Sequence, residues 1–511
     1  MGRACLAAHQ PEPVCLGRSA LLDRGARHRQ GCDGGMSESA TREVLDQPMH
    51  APGYRAWMMT LLVAVYASSS LDRLIIAVLG PAIKADLRIS DLQFGLLGGI
   101  AFAFLYTAFG IPVARLADRR NRIVIVSIAT AVWSAMTALC GLAANFTQLL
   151  LLRIGVGLGE AGCSPPCYSL ISDQYPPRMR AGAIAILGLG VPLGSMVGAF
   201  LGGWASEFIS WRSAFVMAGL PGLLLAALVF FTLKEPARGM FDPVASRIGT
   251  PPTFGAVLRA IAAKPAFLHL TAAAALCIFC NLGLNLFIPT FLVRSHGLSY
   301  SQAGFYFGLV TGISAAIGTT GLGLLIARLA RRDVRWYGWG PALVLVAGAP
   351  FYILGLVQTD FAAGYGLILA SSCIGFAFLG PSIGATQNMM EPRMRASAAA
   401  VLLFAMHMVG GGLGPTFMGW ASDLFAARAF GVGYAASCPS GLAPVDASSS
   451  IVSACNAASE EGLRYALVAC ALFFFWAAFH AFMATRTMAR DLMPDVPQPV
   501  QTPALSQEVS P

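Results

Sequence analysis

Long runs of apolar residues, separated by short polar turns, fill the chain from about residue 57 to residue 485. Each run is long enough to cross ~30 Å of hydrocarbon as an α-helix, which takes about 20 residues. Lipid offers the backbone no hydrogen-bond partners, so a helix, which satisfies its own peptide groups, is the expected structure of every run. The pattern predicts an all-α integral membrane protein with twelve transmembrane helices. These lie near residues 57–80, 92–114, 123–143, 148–172, 180–203, 212–233, 266–292, 302–327, 337–357, 362–389, 395–422 and 464–485.

Composition supports a membrane environment. Charged residues make up 12% of the chain and hydrophobic residues 56%, whereas soluble domains contain roughly 25% charged residues. The net charge of +9 comes from basic residues in short turns, without the interleaved aromatic residues or the continuous basic face of a nucleic-acid-binding protein. The sequence therefore excludes nucleic acid as a partner.

Basic residues concentrate in the turns after the even-numbered runs. Cytoplasmic turns of membrane proteins carry an excess of Lys and Arg, so these turns and both termini are predicted to be cytoplasmic. The expected location is the cell membrane, with multiple passes, and in a Gram-negative bacterium this is the inner membrane. The basic residues are Arg115, Arg119, Arg120, Arg122, Arg178, Arg180, Lys234, Arg238, Arg247, Arg259, Lys264, Arg328, Arg331, Arg332, Arg335, Arg393, Arg395, Arg486 and Arg490.

Three short motifs occur twice at nearly one spacing. An offset of six runs preserves the direction through the membrane, so the sequence predicts two parallel six-helix repeats. Transporters that alternate access around a midplane site have this architecture. The matches are ARLADRRNR at 114–122 with ARLARRDVR at 327–335 (327 − 114 = 213), PRMRA at 177–181 and 392–396 (392 − 177 = 215), and GWAS at 203–206 and 419–422 (419 − 203 = 216).

The repeat divides the chain into two helical bundles joined by a basic linker. The polar ends of the chain are expected to be disordered tails, and the polar stretch before the last run is expected to be a long extracytoplasmic loop. The predicted segments are 1–55 (tail), 56–233 (first bundle), 234–264 (cytoplasmic linker), 265–487 (second bundle, with the loop at 425–462) and 488–511 (tail).

Four charged residues lie inside apolar runs of the first bundle. Arg153 and Glu160 are seven positions apart, so they share a helix face about 10 Å apart along the axis and cannot pair with each other. Ionisable groups within a span mark a substrate or proton pathway by default, although Arg153 is near enough to the end of its run to snorkel to the lipid headgroups. Asp72 and Arg73 are about 100° apart, so one faces the cavity and the other packs against a neighbouring helix. We expect Asp72 to face the cavity.

The turn after the second run resembles the signature Gly-x-x-x-Asp-Arg-x-Gly-Arg-Arg of the major facilitator superfamily. Its sequence is Ala114-Arg-Leu-Ala-Asp-Arg-Arg-Asn-Arg122, in which Ala114 and Asn121 replace the two glycines. Within the superfamily, LDR at 71–73, PAIKADL at 81–87 and GLGEAG at 157–162 resemble the Spinster-like branch. The resemblance covers about residues 55–490 and implies the major facilitator fold.

The resemblance also implies transport of lipid-like solutes, such as lysophospholipids or sphingoid phosphates, with a proton-linked carboxylate in the first half. The acid and base of the family's first span fall on Asp72 and Arg73, and its fourth-span pair falls on Arg153 and Glu160. The signature turn acts as a conformational gate in the family. Its charged residues here are Arg115, Asp118, Arg119 and Arg122, and the second copy has Arg331 in place of the aspartate.

The second bundle contains few charged residues within its runs. Asn281 and Asn285 are four positions apart and share a helix face, and with His407 they are candidate substrate contacts. A histidine can titrate near neutral pH, but a hydrogen-bonded packing histidine is the simpler explanation of His407. Cys438 and Cys455 lie in the expected extracytoplasmic loop, where thiols can oxidise, so a disulfide between them is plausible.

These features favour a secondary active transporter that works by alternating access and is not an enzyme. Its expected partners are a small amphipathic or anionic substrate, protons and membrane lipid, and we expect a monomer without a cofactor or metal. A multidrug or metabolite exporter is the alternative within transport. A receptor, a scaffold or a membrane enzyme is the alternative from another class, and the parallel repeat argues against all three.

Overall fold

The computed structural model describes residues 51–236, 238, 253–391 and 394–492. Within these residues the protein is helical and contains no β-strand. The expected tails lie outside the described residues, apart from a few residues at their inner ends, and so does the part of the expected linker at 237 and 239–252. The helices are α1 Pro52–Leu87, α2 Asp91–Gly98, α3 Ile100–Arg119, α4 Arg122–Cys140, α5 Phe146–Glu160, α6 Ser164–Gln174, α7 Pro177–Gly188, α8 Gly190–Phe208, α9 Trp211–Thr232, α10 Phe254–Ala262, α11 Pro265–His296, α12 Tyr300–Ile317, α13 Gly323–Ala330, α14 Trp336–Val357, α15 Phe361–Gly375, α16 Leu379–Asn388, α17 Arg395–Ala405, α18 Gly414–Phe430, α19 Tyr434–Ser437 and α20 Ser449–Asp491.

Every predicted apolar run lies on helix, but several runs are interrupted. Among the described residues, nine helical stretches are long and apolar enough to cross a membrane. The runs predicted at 148–172, 302–327 and 362–389 are absent from that set, because breaks shorten their helices. The breaks are a turn between α5 and α6, a π-helical turn at Gly318–Leu322 and a 3-10 turn at Phe376–Phe378. The count of twelve transmembrane helices therefore stays a prediction.

Helices pack within each half of the chain and also across the halves. In the first half α1 packs on α8 and α4 on α9, while in the second half α20 packs on α11, α14 and α18. Across the halves α8 contacts α12, α2 contacts α18, and α1 contacts α11. Residues of both halves join in the largest apolar core, whose fully buried members include Ile75, Phe94, Phe287 and Phe307.

The sequence repeat is also visible in a hydrogen bond that occurs in both halves. In the first PRMRA turn, Arg180 Nε donates to the carbonyl oxygen of Tyr175 at 3.2 Å. In the second, Arg395 Nε donates to the carbonyl oxygen of Met390, also at 3.2 Å. Both partners are related by the offset of the motif itself (395 − 180 = 215 and 390 − 175 = 215). The equivalent arginines of the two motifs therefore make the same local hydrogen bond.

Two segments between the predicted runs also form helix. Most of the expected loop at 425–462 is helical, because α18 continues to Phe430 and α20 begins at Ser449. The beginning of α20 is polar and includes the i, i+4 ion pair of Arg464 with Glu460, which stabilises a helix without lipid contact. In the expected linker, α10 forms and buries Val257 and Ile261. Apolarity alone predicts neither helix, because neither needs to cross the membrane.

Candidate functional site

Glu160 is the centre of the buried charges in the first half. The last residue of α5, it has 0% of its surface exposed. Its Oε2 accepts a hydrogen bond from Ser69 Oγ at 2.9 Å and another from Arg73 Nε, both on α1. The ion pair with Arg73 joins α1 to α5 inside the protein. Asp72, Arg73, Arg153 and Glu160 form what we call the Glu160 site.

Arg73 is the only one of these four side chains with substantial exposure, 34%. Its guanidinium carbon lies 4.9 Å from the ring centre of Tyr106 and 5.5 Å from that of Phe102, both on α3. Arg73 is therefore the more exposed of the two neighbours, whereas Asp72, which we expected to face the cavity, is fully buried. The Glu160 carboxylate, to which Ser69 also donates, is the acceptor that holds Arg73 in this position.

Asp72 is fully buried in α1. Neither of its carboxylate oxygens has a well-formed hydrogen bond with any described residue. The hydroxyl of Thr137 on α4, which is also buried without a partner, is its polar neighbour. Burying a carboxylate is costly unless nearby cations offset its charge, and Arg153 and Arg73 are the cations close to Asp72.

Arg153 is also buried, with 1% of its surface exposed. Its Nη1 donates to the backbone oxygen of Asp72 at 3.1 Å, and its guanidinium lies 5.7 Å from the ring centre of Phe102. The alternative that Arg153 snorkels to the headgroups is therefore wrong, because a partner on α1 holds its side chain inside. As expected from their spacing, Arg153 and Glu160 form no ion pair with each other.

Among the four residues of the signature turn, Arg122 alone is buried within the described side chains. It pairs with Asp173 and with Glu235, the latter at 2.7 Å, and donates to Ser169 Oγ at 2.7 Å. Arg115 and Arg119 are exposed, and the side chain of Asp118 lies outside the described residues. No local pattern around the turn indicates Asp173 or Glu235, which lie far along the chain.

The candidate contacts of the second half occupy two places. Asn281 and Asn285 line a cavity of about 20 Å³ together with Tyr352 and Ser371, which is room for about one water molecule. Asn281 Nδ2 donates to the backbone oxygen of Cys277 at 3.1 Å. Their part in binding a substrate stays a prediction.

His407 lies apart from this cavity and close to the first half. Its Nδ1 is 2.9 Å from the backbone oxygen of Leu403, and its ring centre is 5.3 Å from that of Tyr106. Tyr106 in turn lies against the guanidinium of Arg73. A tyrosine therefore separates His407 from the Glu160 site.

Cys438 and Cys455 form a disulfide with their Cα atoms 5.6 Å apart. It ties the segment after α18 to an early turn of α20. Near it, Arg88 Nη1 at the end of α1 donates to the backbone oxygen of Ala443 at 3.3 Å. The segment that carries the disulfide thus contacts the first half.

A second charged group, which the sequence did not reveal, joins the halves where α1 ends and α2 begins. Asp91 forms an ion pair with Lys84 and accepts two hydrogen bonds from Arg294 of α11, each at 2.9 Å. Ser422 Oγ of α18 donates to Asp91 Oδ2 at 2.7 Å. We call these four residues the Asp91 cluster. Arg294 was a possible signal, since it is basic at an end of its run where the predicted topology places few basic residues.

The fold and these two groups define a class of protein. Buried charges lie inside an apolar helical bundle, and an ionic cluster ties the two halves at one end, whereas Arg115 and Arg119 at the opposite end of α3 are exposed. Repeated halves that are tied at one end and carry charges between helices are typical of membrane transporters.

Comparison with known proteins identifies the family. The model of the Major Facilitator Superfamily matches residues 62–415. Crystal structures of a bacterial homolog of the human lysosomal transporter Spinster, in inward-facing unoccupied and occupied conformations, superpose with TM-scores of 0.78 and 0.77 at 34% and 33% identity, covering 87% of this chain and 100% of theirs. The chain belongs to the Major Facilitator Superfamily, in its Spinster-like branch, and is a multi-pass membrane protein.

Curated relatives agree with this assignment. An MFS-type efflux pump of Mycolicibacterium smegmatis is 33% identical over 73% of this chain and 86% of the pump. Protein spinster homolog 1 of Homo sapiens is 28% identical over 73% of this chain and 74% of its own length. A sphingosine-1-phosphate transporter of Danio rerio is 25% identical over 69% of this chain and 73% of its own length.

Proposed function

We propose that this transporter is a secondary active, proton-coupled carrier that works by alternating access. Its substrate is an amphipathic lipid-like solute of the lysophospholipid or sphingoid type, or an organic anion. The observation that carries the proposal is the Glu160 site, in which a buried acid pairs with a partly exposed arginine beside a second buried acid. The proposal includes twelve transmembrane helices with both termini in the cytoplasm.

The arrangement of the two ends supports an inward-facing state. The Asp91 cluster links α1 and α2 to α11 and α18, so the halves are tied at that end. Arg115 and Arg119, at the other end of α3, are exposed, and the positive-inside rule makes their end cytoplasmic. The solved relatives are inward-facing as well. The tied end is therefore extracytoplasmic in this proposal.

Proton coupling follows from competition for Arg73. In the present state the Glu160 carboxylate accepts hydrogen bonds from Arg73 and Ser69. A proton on Glu160 removes its negative charge and weakens the charge-assisted bond to Arg73. The freed guanidinium then has its charge available for an anionic head group. Asp72, buried one residue away without a good hydrogen bond, is a second place for the proton.

The asymmetry between the halves supports an amphipathic substrate. The Glu160 site places its charges in the first half, whereas the candidate contacts of the second half, Asn281 and Asn285, are uncharged and have mainly apolar neighbours such as Leu284 and Phe474. A solute with a charged head and an apolar tail fits this division. The sphingosine-1-phosphate transporter among the relatives supports the same class of solute.

Transport in proteoliposomes tests the proposal. A pH gradient is expected to drive movement of a fluorescent lysophospholipid or sphingoid phosphate by the native chain. Glu160→Gln and Asp72→Asn, which keep size but remove charge, are expected to lower the gradient-driven rate at least tenfold, because each removes a proton-binding group. Asp360→Asn is the control, since Asp360 is exposed and caps the start of α15 through Ala363 N.

The control is expected to transport like the native chain, since Asn is also a good helix cap. Proton coupling is wrong if the gradient moves none of these solutes, or if both substituted carriers respond to it like the native protein. If the native chain and all three variants move the solute at a rate that does not depend on the pH gradient, the protein is a transporter but is not coupled to protons.

An exporter of drugs or metabolites is the second candidate, because an MFS-type efflux pump is 33% identical to this chain. The same vesicles, loaded with hydrophobic cations or with lysolipid, distinguish the two. The lipid-like proposal expects lysolipid to compete for transport and hydrophobic cations not to do so, since Arg73 repels a cation. The reverse order of competition favours the exporter.

A further inference from the structure

Two contacts between the halves are related residue by residue. In one, α2 meets α18, and in the other α12 meets α8. A Cβ built on Gly304 of α12 would lie 2.5 Å from the backbone oxygen of Ala199, and one built on Gly95 of α2 would lie 3.1 Å from the backbone carbon of Pro415. The glycines are offset by 304 − 95 = 209 and their partners by 415 − 199 = 216. We call these contacts the α2–α18 seam and the α8–α12 seam.

The same capping box begins α2 and α12. At α2, Gln93 N donates to Ser90 Oγ at 3.2 Å, and Ser90 N donates to Gln93 Oε1 at 2.9 Å. At α12, Gln302 N donates to Ser299 Oγ at 3.3 Å, and Ser299 N donates to Gln302 Oε1 at 3.1 Å. The offset is again 299 − 90 = 209. The two helix starts are thus equivalent.

Each helix start also receives a carboxylate from the opposite half. Asp423 of α18 accepts from Asp91 N at 3.1 Å and from Leu92 N at 2.8 Å. Glu207 of α8 accepts from Ser301 N at 2.7 Å and from Ser299 Oγ at 2.6 Å. The two acids are offset by 423 − 207 = 216, so the repeated GWAS motif extends to GWAS followed by an acid. We call Glu207 and Asp423 the latch carboxylates.

We propose that the latch carboxylates hold this end of the transporter closed, one at each seam. A carboxylate at a helix N-terminus is favoured by the helix dipole and by charge-assisted hydrogen bonds to the free N–H groups. Because each acid and the helix start that it caps belong to opposite halves, separating the halves at this end breaks both sets of bonds. The inference rests on the proposed alternating access and assigns residues to one of its states.

The two latches are unequal. Asp423 is half-buried beside the Asp91 cluster, where Lys84 and Arg294 also bind Asp91. Glu207 is exposed, so water competes for its hydrogen bonds. The α2–α18 seam therefore has several ionic contacts besides its latch, whereas the α8–α12 seam depends more on Glu207. We infer that the α8–α12 seam opens first.

Hydrogen–deuterium exchange of the full chain in micelles, read by mass spectrometry, tests the latches without a substrate. In Glu207→Ala, amides at 299–304 are expected to exchange about fivefold faster, the usual effect of losing a helix cap. Glu207→Gln keeps a neutral acceptor and is expected to give a smaller increase. Amides at 90–95 are expected to stay unchanged in both variants. Asp423→Asn is expected to speed exchange at 90–95 only.

Asp86→Asn is the matched control. Asp86 is an acid at the same end, and its ion pair with Arg212 stays within the first half. The latch inference is overturned if Glu207→Ala leaves exchange at 299–304 unchanged, or if Asp86→Asn raises that exchange equally. If Glu207→Ala speeds exchange at 299–304 but the native chain transports no solute, the latch is supported and the proposed function is wrong. The inferred order, in which the α8–α12 seam opens first, is wrong if Asp423→Asn raises exchange at 90–95 more than Glu207→Ala raises exchange at 299–304.

Discussion

At the scale of single residues, burial and pairing decide what each charge does. Arg73 and Asp72 are neighbours in the sequence, yet one is partly exposed and paired and the other is fully buried without a good hydrogen bond. Arg122 and Arg119 also differ, but here the buried residue is the paired one, since Arg122 lies between two acids and Arg119 is exposed. Two arginines of the same turn therefore contribute differently to the stability of the protein.

This contrast predicts the effect of two matched substitutions on stability. Arg122→Gln leaves Asp173 and Glu235 without their common partner, and breaking a buried ion pair in this way costs about 3–5 kcal/mol. Arg119→Gln removes an exposed charge, which usually changes stability by less than about 0.5 kcal/mol. Thermal unfolding of the two variants in the same detergent is the measurement. Equal melting temperatures would contradict the structural role of Arg122.

The contacts of a residue were predictable from the sequence where the spacing within one helix decides them. The spacing of Arg153 and Glu160 excluded a pair between them, and the structure agrees. The choice between Asp72 and Arg73 was not predictable, because it depends on where α5 presents Glu160. Nor was the bond between Asp91 and Arg294, which are 203 positions apart. No pattern within one helix reports a partner on another.

At the scale of helices, glycine has two roles that the sequence does not distinguish. Gly304 lies where α12 crosses α8 and has no room for a side chain, whereas nothing lies within 4 Å of a Cβ built on Gly366 in α15. The first glycine allows close packing, and the second only adds flexibility to the unfolded chain.

The two roles predict opposite changes in stability. Gly304→Ala places a methyl group 2.5 Å from the backbone oxygen of Ala199, and such overpacking costs about 1–3 kcal/mol. Gly366→Ala is expected to add about 0.5–1 kcal/mol, because alanine loses less backbone entropy in a helix. Melting temperatures of both variants check the signs. A higher melting temperature for Gly304→Ala would contradict the close packing of α12 on α8 at this position.

Helices were predictable from the sequence where the segment crosses lipid. Each predicted run lies on helix, because a long apolar stretch in a membrane has no other way to satisfy its backbone. The helix α10 and the polar beginning of α20 were missed, since contacts within the protein and local propensity stabilise them. The breaks at Gly318–Leu322 and Phe376–Phe378 were missed for a related reason. Hydropathy records length and apolarity and carries no signal for a π-helical or 3-10 turn.

At the scale of the whole molecule, the repeat was the most informative part of the sequence. Its motif offsets predict parallel halves, and the equivalent bonds of Arg180 and Arg395 agree with them. What the repeat could not indicate is how the halves differ. The Glu160 site and the Asp91 acid occur in one half only, since Tyr300 stands at the position equivalent to Asp91 (300 − 91 = 209). The two halves thus share a repeated helical arrangement but differ in their buried charged residues.

The two seams also bear on the ancestry of the fold. Each half supplies one acid, Glu207 or Asp423, and one capped helix start, and each acid binds the helix start of the other half. An interface in which the same patch occurs on both partners is isologous, as in a two-fold symmetric dimer. A single half that carries both features is self-complementary. Two separate copies of an ancestral half would therefore already close against each other, and joining their genes would add only the linker.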